Sequence, residues 1–82
     1  MNEEVKKLHS SLDHYAYACA SVGYANGAIG ELYEILDGVT NPDDRDAFNS
    51  QISKMEDARD KSKRIRDQAR EDVFKAFEHY YS

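Results

Sequence analysis

Hydrophobic residues recur at alternating spacings of three and four along most of this chain, which is the heptad pattern of helices that pack along one seam. The pattern predicts a helix over about residues 3–37 and a second over about 42–80. The expected seam of the first helix is Val5, Leu8, Leu12, Tyr15, Cys19, Val22, Asn26, Ile29, Tyr33 and Leu36. That of the second is Phe48, Ile52, Met55, Ala58, Ser62, Ile65, Ala69, Val73, Ala76 and Tyr80.

Residues that end and restart a helix cluster at positions 37–44, DGVTNPDD. Gly38 suits the left-handed position just past a helix end. Asn41 is a good N-cap, with Pro42 at the first helical position. A short elbow at 38–41 should fold the two helices back into an antiparallel hairpin, and we expect residues 1–82 to form this one all-α domain.

The segment 15–30, YAYACASVGYANGAIG, contains no charged residue, although 33% of the chain is charged. A helix without charge on any side is normally surrounded by protein, and a chain of 82 residues is too small to surround one of its own helices. We therefore expect a homo-oligomeric helical bundle, a dimer or larger. The expected oligomer interface consists of small residues and tyrosines: Ala16, Tyr17, Ala20, Gly23, Tyr24, Gly27 and Gly30. The alternative is that Asn26-Gly27 forms a turn that breaks the first helix.

Basic residues concentrate in the segment 54–70, which has seven Lys and Arg against four Asp and Glu in a chain of net charge −5. The candidate residues for binding an anionic ligand or an acidic partner are Lys61, Lys63, Arg64 and Arg66. The alternative is a solvated helix face with ion pairs four residues apart, namely Asp57–Lys61, Asp60–Arg64 and Lys63–Asp67. The acidic balance of the whole chain argues against nucleic-acid binding.

Catalytic chemistry has no recognisable motif in this sequence, and we expect no enzyme activity and no cofactor. Cys19 lies on an apolar helix face without a nearby histidine to activate it. His9, Asp13 and His79 could meet at one end of the hairpin, but this set lacks a second pair of strong ligands, so no metal site is expected. The chain has no phosphate-binding glycine loop, no CxxC pair and no Ser-His-Asp pattern.

The sequence therefore favours a small non-enzymatic protein-interaction module, a self-associating hairpin that acts as adaptor, chaperone or inhibitor of a larger protein. In size and composition it is similar to small helical inhibitors encoded by phages and other mobile elements. The alternative function is an oligomer that binds an anionic small molecule or a nucleotide through Tyr and Lys or Arg side chains. With a single cysteine, no signal peptide and no membrane-spanning run, we expect a cytoplasmic protein without membrane partners.

Overall fold

A computed structural model describes residues 3–81 of the chain, with the side chains of residues 3–79. Helix α1 spans Glu3–Asp37 and helix α2 spans Pro42–Tyr81, which confirms the all-α helical hairpin. The hairpin is a rod of 60 × 16 × 13 Å. Helix α1 is continuous through Asn26 and Gly27, so the alternative of a turn at this dipeptide is wrong.

The elbow closes through backbone and side-chain hydrogen bonds. The backbone N–H of Gly38 donates to the carbonyl of Ile35, and that of Val39 to the carbonyl of Leu36, each at 3.0 Å. Arg45 from the first turn of α2 reaches back, where its Nη1 donates to the carbonyls of Leu36 at 3.2 Å and Val39 at 2.8 Å. Gly38 does not have the positive φ that we expected. The last turn of α1 closes instead through the two backbone hydrogen bonds between residues three apart, from Gly38 to Ile35 and from Val39 to Leu36.

Asn41 caps α2 as predicted, since its Oδ1 accepts hydrogen bonds from the backbone N–H of Asp43 at 2.9 Å and of Asp44 at 3.3 Å. Replacing Asn41 by Ala leaves both N–H groups without this acceptor and should lower the free energy of unfolding by about 1 kcal/mol. Urea denaturation measures the change. Thr40→Ala, at the neighbouring exposed position, is the control and should have a much smaller effect; equal losses would contradict the cap.

Seven of the ten predicted α1 seam residues are buried or half-buried, as expected: Val5, Leu8, Tyr15, Cys19, Val22, Ile29 and Leu36. The other three, Leu12, Asn26 and Tyr33, are exposed, and the residue before each of them, Ser11, Ala25 and Leu32, lies at the seam instead. Ala18 is buried beside the half-buried Cys19. The two alanines, each only 3% exposed, are the most buried residues of α1. Small side chains at the contact let two helices pack closely, and this favours the alanines over larger neighbours.

The α2 seam also differs from the prediction at two positions. Ala58 and Ile65 are exposed, and the half-buried side chains at their expected level belong to Arg59 and Arg66. Together with Ile52 and Val73 these arginines form a row with a spacing of seven residues. Arginine suits such a position because its methylene groups cover apolar surface while the guanidinium stays at the edge. Tyr80, another predicted seam residue, lies outside the described side chains.

Candidate functional site

Helix α1 turns its uncharged side away from α2. All seven predicted interface residues are exposed in the hairpin: Ala16, Tyr17, Ala20, Gly23, Tyr24, Gly27 and Gly30. The side chains of Tyr17 and Tyr24 are 74% and 78% exposed, although tyrosine carries a large apolar ring. We call this surface the α1 outer face and extend it at both ends to the exposed residues on the same side of the helix, Lys6, His9, Asp13, Glu31 and Glu34.

The glycines of the α1 outer face are not required by the packing of the hairpin. A Cβ atom added at Gly23, Gly27 or Gly30 would meet no atom within 4 Å. Glycine inside a helix costs up to about 1 kcal/mol relative to alanine. Because no atom of α2 lies within 4 Å of these Cβ positions, close packing against α2 does not offset the free-energy cost of the three glycines.

The two ends of the α1 outer face differ in charge. Towards the N-terminus, Lys6 is the basic residue of this face, and its Nζ lies 3.8 Å from the exposed carboxylate of Glu3. Towards the C-terminus the exposed charged residues are Glu31, Glu34 and Asp37, which are all acidic. The uncharged centre thus lies between one mixed end and one acidic end.

A groove runs along one edge of the α1 outer face, between the two helices. Its central part has a volume of about 460 Å³, with Tyr17 and Tyr24 on the α1 side and Met55 on the α2 side. Its continuation, about 380 Å³, is lined by His14, Tyr17, Lys61 and Ile65. Both parts share a floor of small residues that includes Ser21, Ala58 and Ser62. The fold therefore brings one predicted interface tyrosine beside one predicted basic residue.

The four predicted basic residues do not form one patch. Lys61 lines the groove, whereas Arg66 is half-buried at the seam, where its Nη2 contacts Asp67 Oδ1 at 3.1 Å. With 3.6 residues per turn, positions 61, 63, 64 and 66 point to different sides of α2. Lys63 is half-buried and Arg64 is exposed. Of the four, only Lys61 is placed to act together with Tyr17.

The ion pairs of α2 differ from the predicted set. None of the pairs Asp57–Lys61, Asp60–Arg64 and Lys63–Asp67 is found among the side chains of residues 3–79. The arginines instead contact an adjacent residue: Arg59 Nε lies 3.2 Å from Asp60 Oδ1, and Arg66 makes the corresponding contact with Asp67. A half-buried arginine stem keeps its guanidinium at the edge of the helix contact, where an exposed carboxylate is within reach.

Among the described residues, six large apolar side chains outside the predicted interface are also exposed. Three of them were expected at the seam, namely Leu12, Tyr33 and Ile65, at 44%, 47% and 42% exposure. The other three are Ile35, Phe74 and Phe77, at 54%, 55% and 49% exposure. The guanidinium of Arg70 lies 5.5 Å from the ring centroid of Phe74, a cation–π contact. The spacing of three between Phe74 and Phe77 was the available signal for a shared exposed side of α2.

The described histidines and the cysteine are not grouped into a reactive site. His79 Nε2 lies 3.5 Å from Glu4 Oε1, a contact between the first turn of α1 and the end of α2. Cys19 is a half-buried free thiol. Within the described part of the chain, no three residues of the types His, Cys, Asp and Glu are grouped so that they could hold a metal ion.

Neither described helix combines the length and the apolar character needed to cross a membrane. Comparison of the chain with protein-family models, with curated proteins and with solved structures finds no match.

Proposed function

We propose that this chain is a non-enzymatic protein-interaction module that self-associates through the α1 outer face and in that form binds a larger protein. The observation that carries the proposal is the exposure of the outward side of the uncharged segment 15–30, whose inward residues Ala18, Val22, Ala25 and Ile29 are buried. Its two outward tyrosines are about three-quarters exposed, and no charged residue is present to favour contact with water. A continuous uncharged helix side of this length is typical of an interface.

The residue types of the α1 outer face also support self-association. Tyrosine buries a large area at low cost in side-chain entropy, and it is enriched among the residues that dominate binding free energy. Glycine and alanine between Tyr17 and Tyr24 permit close approach of another helix. Close packing against a second chain would offset the helix cost of Gly23, Gly27 and Gly30, which α2 does not offset.

A larger partner would bind the oligomer at surfaces that self-association leaves exposed. Ile35, near the elbow, and Phe74 and Phe77, near the open end, lie outside the α1 outer face and remain exposed. Exposed aromatic and aliphatic residues away from the self-association surface are suitable anchors for a second protein. An adaptor, a chaperone or an inhibitor that acts as an oligomer would use one surface for the self-contact and another for the partner contact.

The self-association is tested by the mass of the purified protein. Sedimentation or light scattering at micromolar concentration should give an integral multiple of the chain mass of 9.4 kDa. Because association follows mass action, dilution should shift the distribution towards the single chain. A 9.4 kDa species as the sole component across the micromolar range would overturn the proposal.

A second candidate function is binding of an anionic small molecule or nucleotide, and the groove favours it through one observation. Tyr17, His14 and Lys61 line the same groove, so two aromatic rings and one lysine ammonium group converge on one apolar cleft. A thermal-shift screen with nucleotides tests it. Lys61→Gln should abolish any stabilisation by ligand, whereas Arg64→Gln, the matched control on another side of α2, should preserve it. A screen without any shift would reject this function.

A further inference from the structure

We propose that the occupant of the α1 outer face is a second copy of this chain in antiparallel orientation, with the two-fold axis passing beside Ala20. This inference rests on the proposed self-association and adds the orientation and the register of the two helices. Two independent features of the described residues lead to it, the alternation of large and small side chains and the distribution of charge along α1.

The first feature is the order of side-chain sizes around Ala20. An antiparallel register centred on this residue places Tyr17 opposite Gly23 of the second copy and Tyr24 opposite Ala16 of the second copy. Each ring then meets a glycine or a methyl group, and the space beyond Gly23 is open in the hairpin. A parallel pair would set Tyr17 against Tyr17 and Gly23 against Gly23. Large residues packed on small ones fill such a contact, whereas like sizes leave gaps.

The second feature is the charge at the two ends of the α1 outer face. In the register centred on Ala20, Lys6 comes opposite Glu34 of the second copy, and Glu31 comes opposite His9, so that it faces no carboxylate. A parallel pair would instead bring Glu31, Glu34 and their counterparts into like-charge contact. Opposite charges facing each other across an interface steer orientation and suppress wrong pairings.

Charge also selects among the antiparallel registers. Moving the second copy by one heptad in one direction places Asp13 against Glu34, and moving it in the other direction places Asp13 against Ala20 in the centre of the contact. The register centred on Ala20 places Asp13 opposite Gly27, where no like charge is met. Its one unfavourable pair, Glu3 with Asp37, lies at the exposed ends, where charge pairs contribute little.

Distances between spin labels on the two copies test the orientation in the full chain. A nitroxide is attached at Ser10→Cys or at Asp37→Cys, each in a Cys19→Ser background that first has to retain the oligomer mass. With a rise of 1.5 Å per residue, the antiparallel register predicts separations of about 30 Å for position 10 and about 50 Å for position 37. A parallel pair predicts less than about 20 Å for both, since each label then faces its own counterpart across one helix diameter.

A charge exchange gives a second readout of the same register. Lys6→Glu should weaken association about twofold to tenfold, and Glu34→Lys should do the same, because each creates a like-charge pair. The double variant restores opposite charges and should return association to near the original strength. A double variant whose weakening equals the two single effects combined would contradict the Lys6–Glu34 pair.

The outcomes separate this inference from the proposed function. Short label distances at both positions in a stable oligomer overturn the antiparallel register, while self-association through α1 stands. Distances that match neither pattern place the second copy elsewhere and overturn the register as well. A monomeric wild-type protein overturns both. Long distances at both positions together with recovery in the double variant support the inference.

Discussion

Replacing Ile52 by Ala is expected to lower the free energy of unfolding by about 2–5 kcal/mol, the largest effect of any single substitution considered in the hairpin. Ile52 is 3% exposed and is the most buried large side chain of α2. The change removes apolar contacts and leaves a cavity, because the surrounding seam relaxes only partly to fill it. The thin core of a two-helix hairpin has few other contacts to absorb such a loss.

Ile35→Ala is the matched control, because the same side chain is 54% exposed at that position. Ile35→Ala should lower the free energy of unfolding by about 1 kcal/mol or less, since little buried surface is removed and alanine favours the helix. Urea denaturation of both variants at several protein concentrations makes the comparison and separates folding from association. Equal losses for Ile52 and Ile35 would contradict the seam.

Replacing Gly23 by Leu is expected to affect the single chain and the assembly in opposite directions. In the hairpin alone the new side chain enters open space, and a better helix former should stabilise α1 by about 1 kcal/mol. In the assembly the side chain fills the space that a second helix needs, so association should weaken at least about tenfold. Sedimentation should then show mainly the 9.4 kDa chain, while circular dichroism shows full helix content.

Ser50→Leu is the control for Gly23→Leu, because Ser50 is exposed on α2, away from the α1 outer face. It adds a similar apolar group and should leave the association constant unchanged. If Gly23→Leu keeps the oligomer mass and only raises the unfolding temperature, the α1 outer face is not an interface. Gly27→Leu, one turn further along the same face, provides an independent repeat of the test.

The helix ends could be predicted because their determinants are local. Asn41 and Pro42 define the start of α2 through a side-chain cap and a fixed φ, and neither depends on the rest of the fold. The conformation of Gly38 could not be predicted in the same way. Its backbone N–H bonds to the carbonyl of Ile35 in a tight last turn instead of a left-handed cap, and glycine is compatible with both ways of ending a helix.

The seam was harder to predict because hydrophobicity and packing favour different residues. Leu12 is more apolar than Ser11 and Tyr33 is larger than Leu32, yet in each pair the smaller residue lies at the helix contact and the larger one is exposed at the edge. In α2 the charge of Arg59 and Arg66 concealed their position beside the core. A hydrophobic pattern alone therefore predicts that the two helices pack together, but the side of each helix that it places at the contact can be wrong by about one residue.

The candidate surface followed from the sequence because an uncharged run in a highly charged chain needs no three-dimensional information to be noticed. The groove could not be predicted from the sequence, since Tyr17 and Lys61 are far apart along the chain and line the same groove only because the hairpin brings them together. Predicting that pairing would have required the correct rotation of both helices, which the misplaced seam rows did not provide.

The Arg45 contacts across the elbow have a consequence for the order in which the hairpin forms. They join residues only six and nine positions apart, whereas the contact between Glu4 and His79 at the open end spans nearly the whole chain. The entropy lost on closing a loop grows with its length, so contacts should form first at the elbow and then extend outward turn by turn. In reverse, the open end should separate first, and amide hydrogen exchange should slow steadily from there towards the elbow.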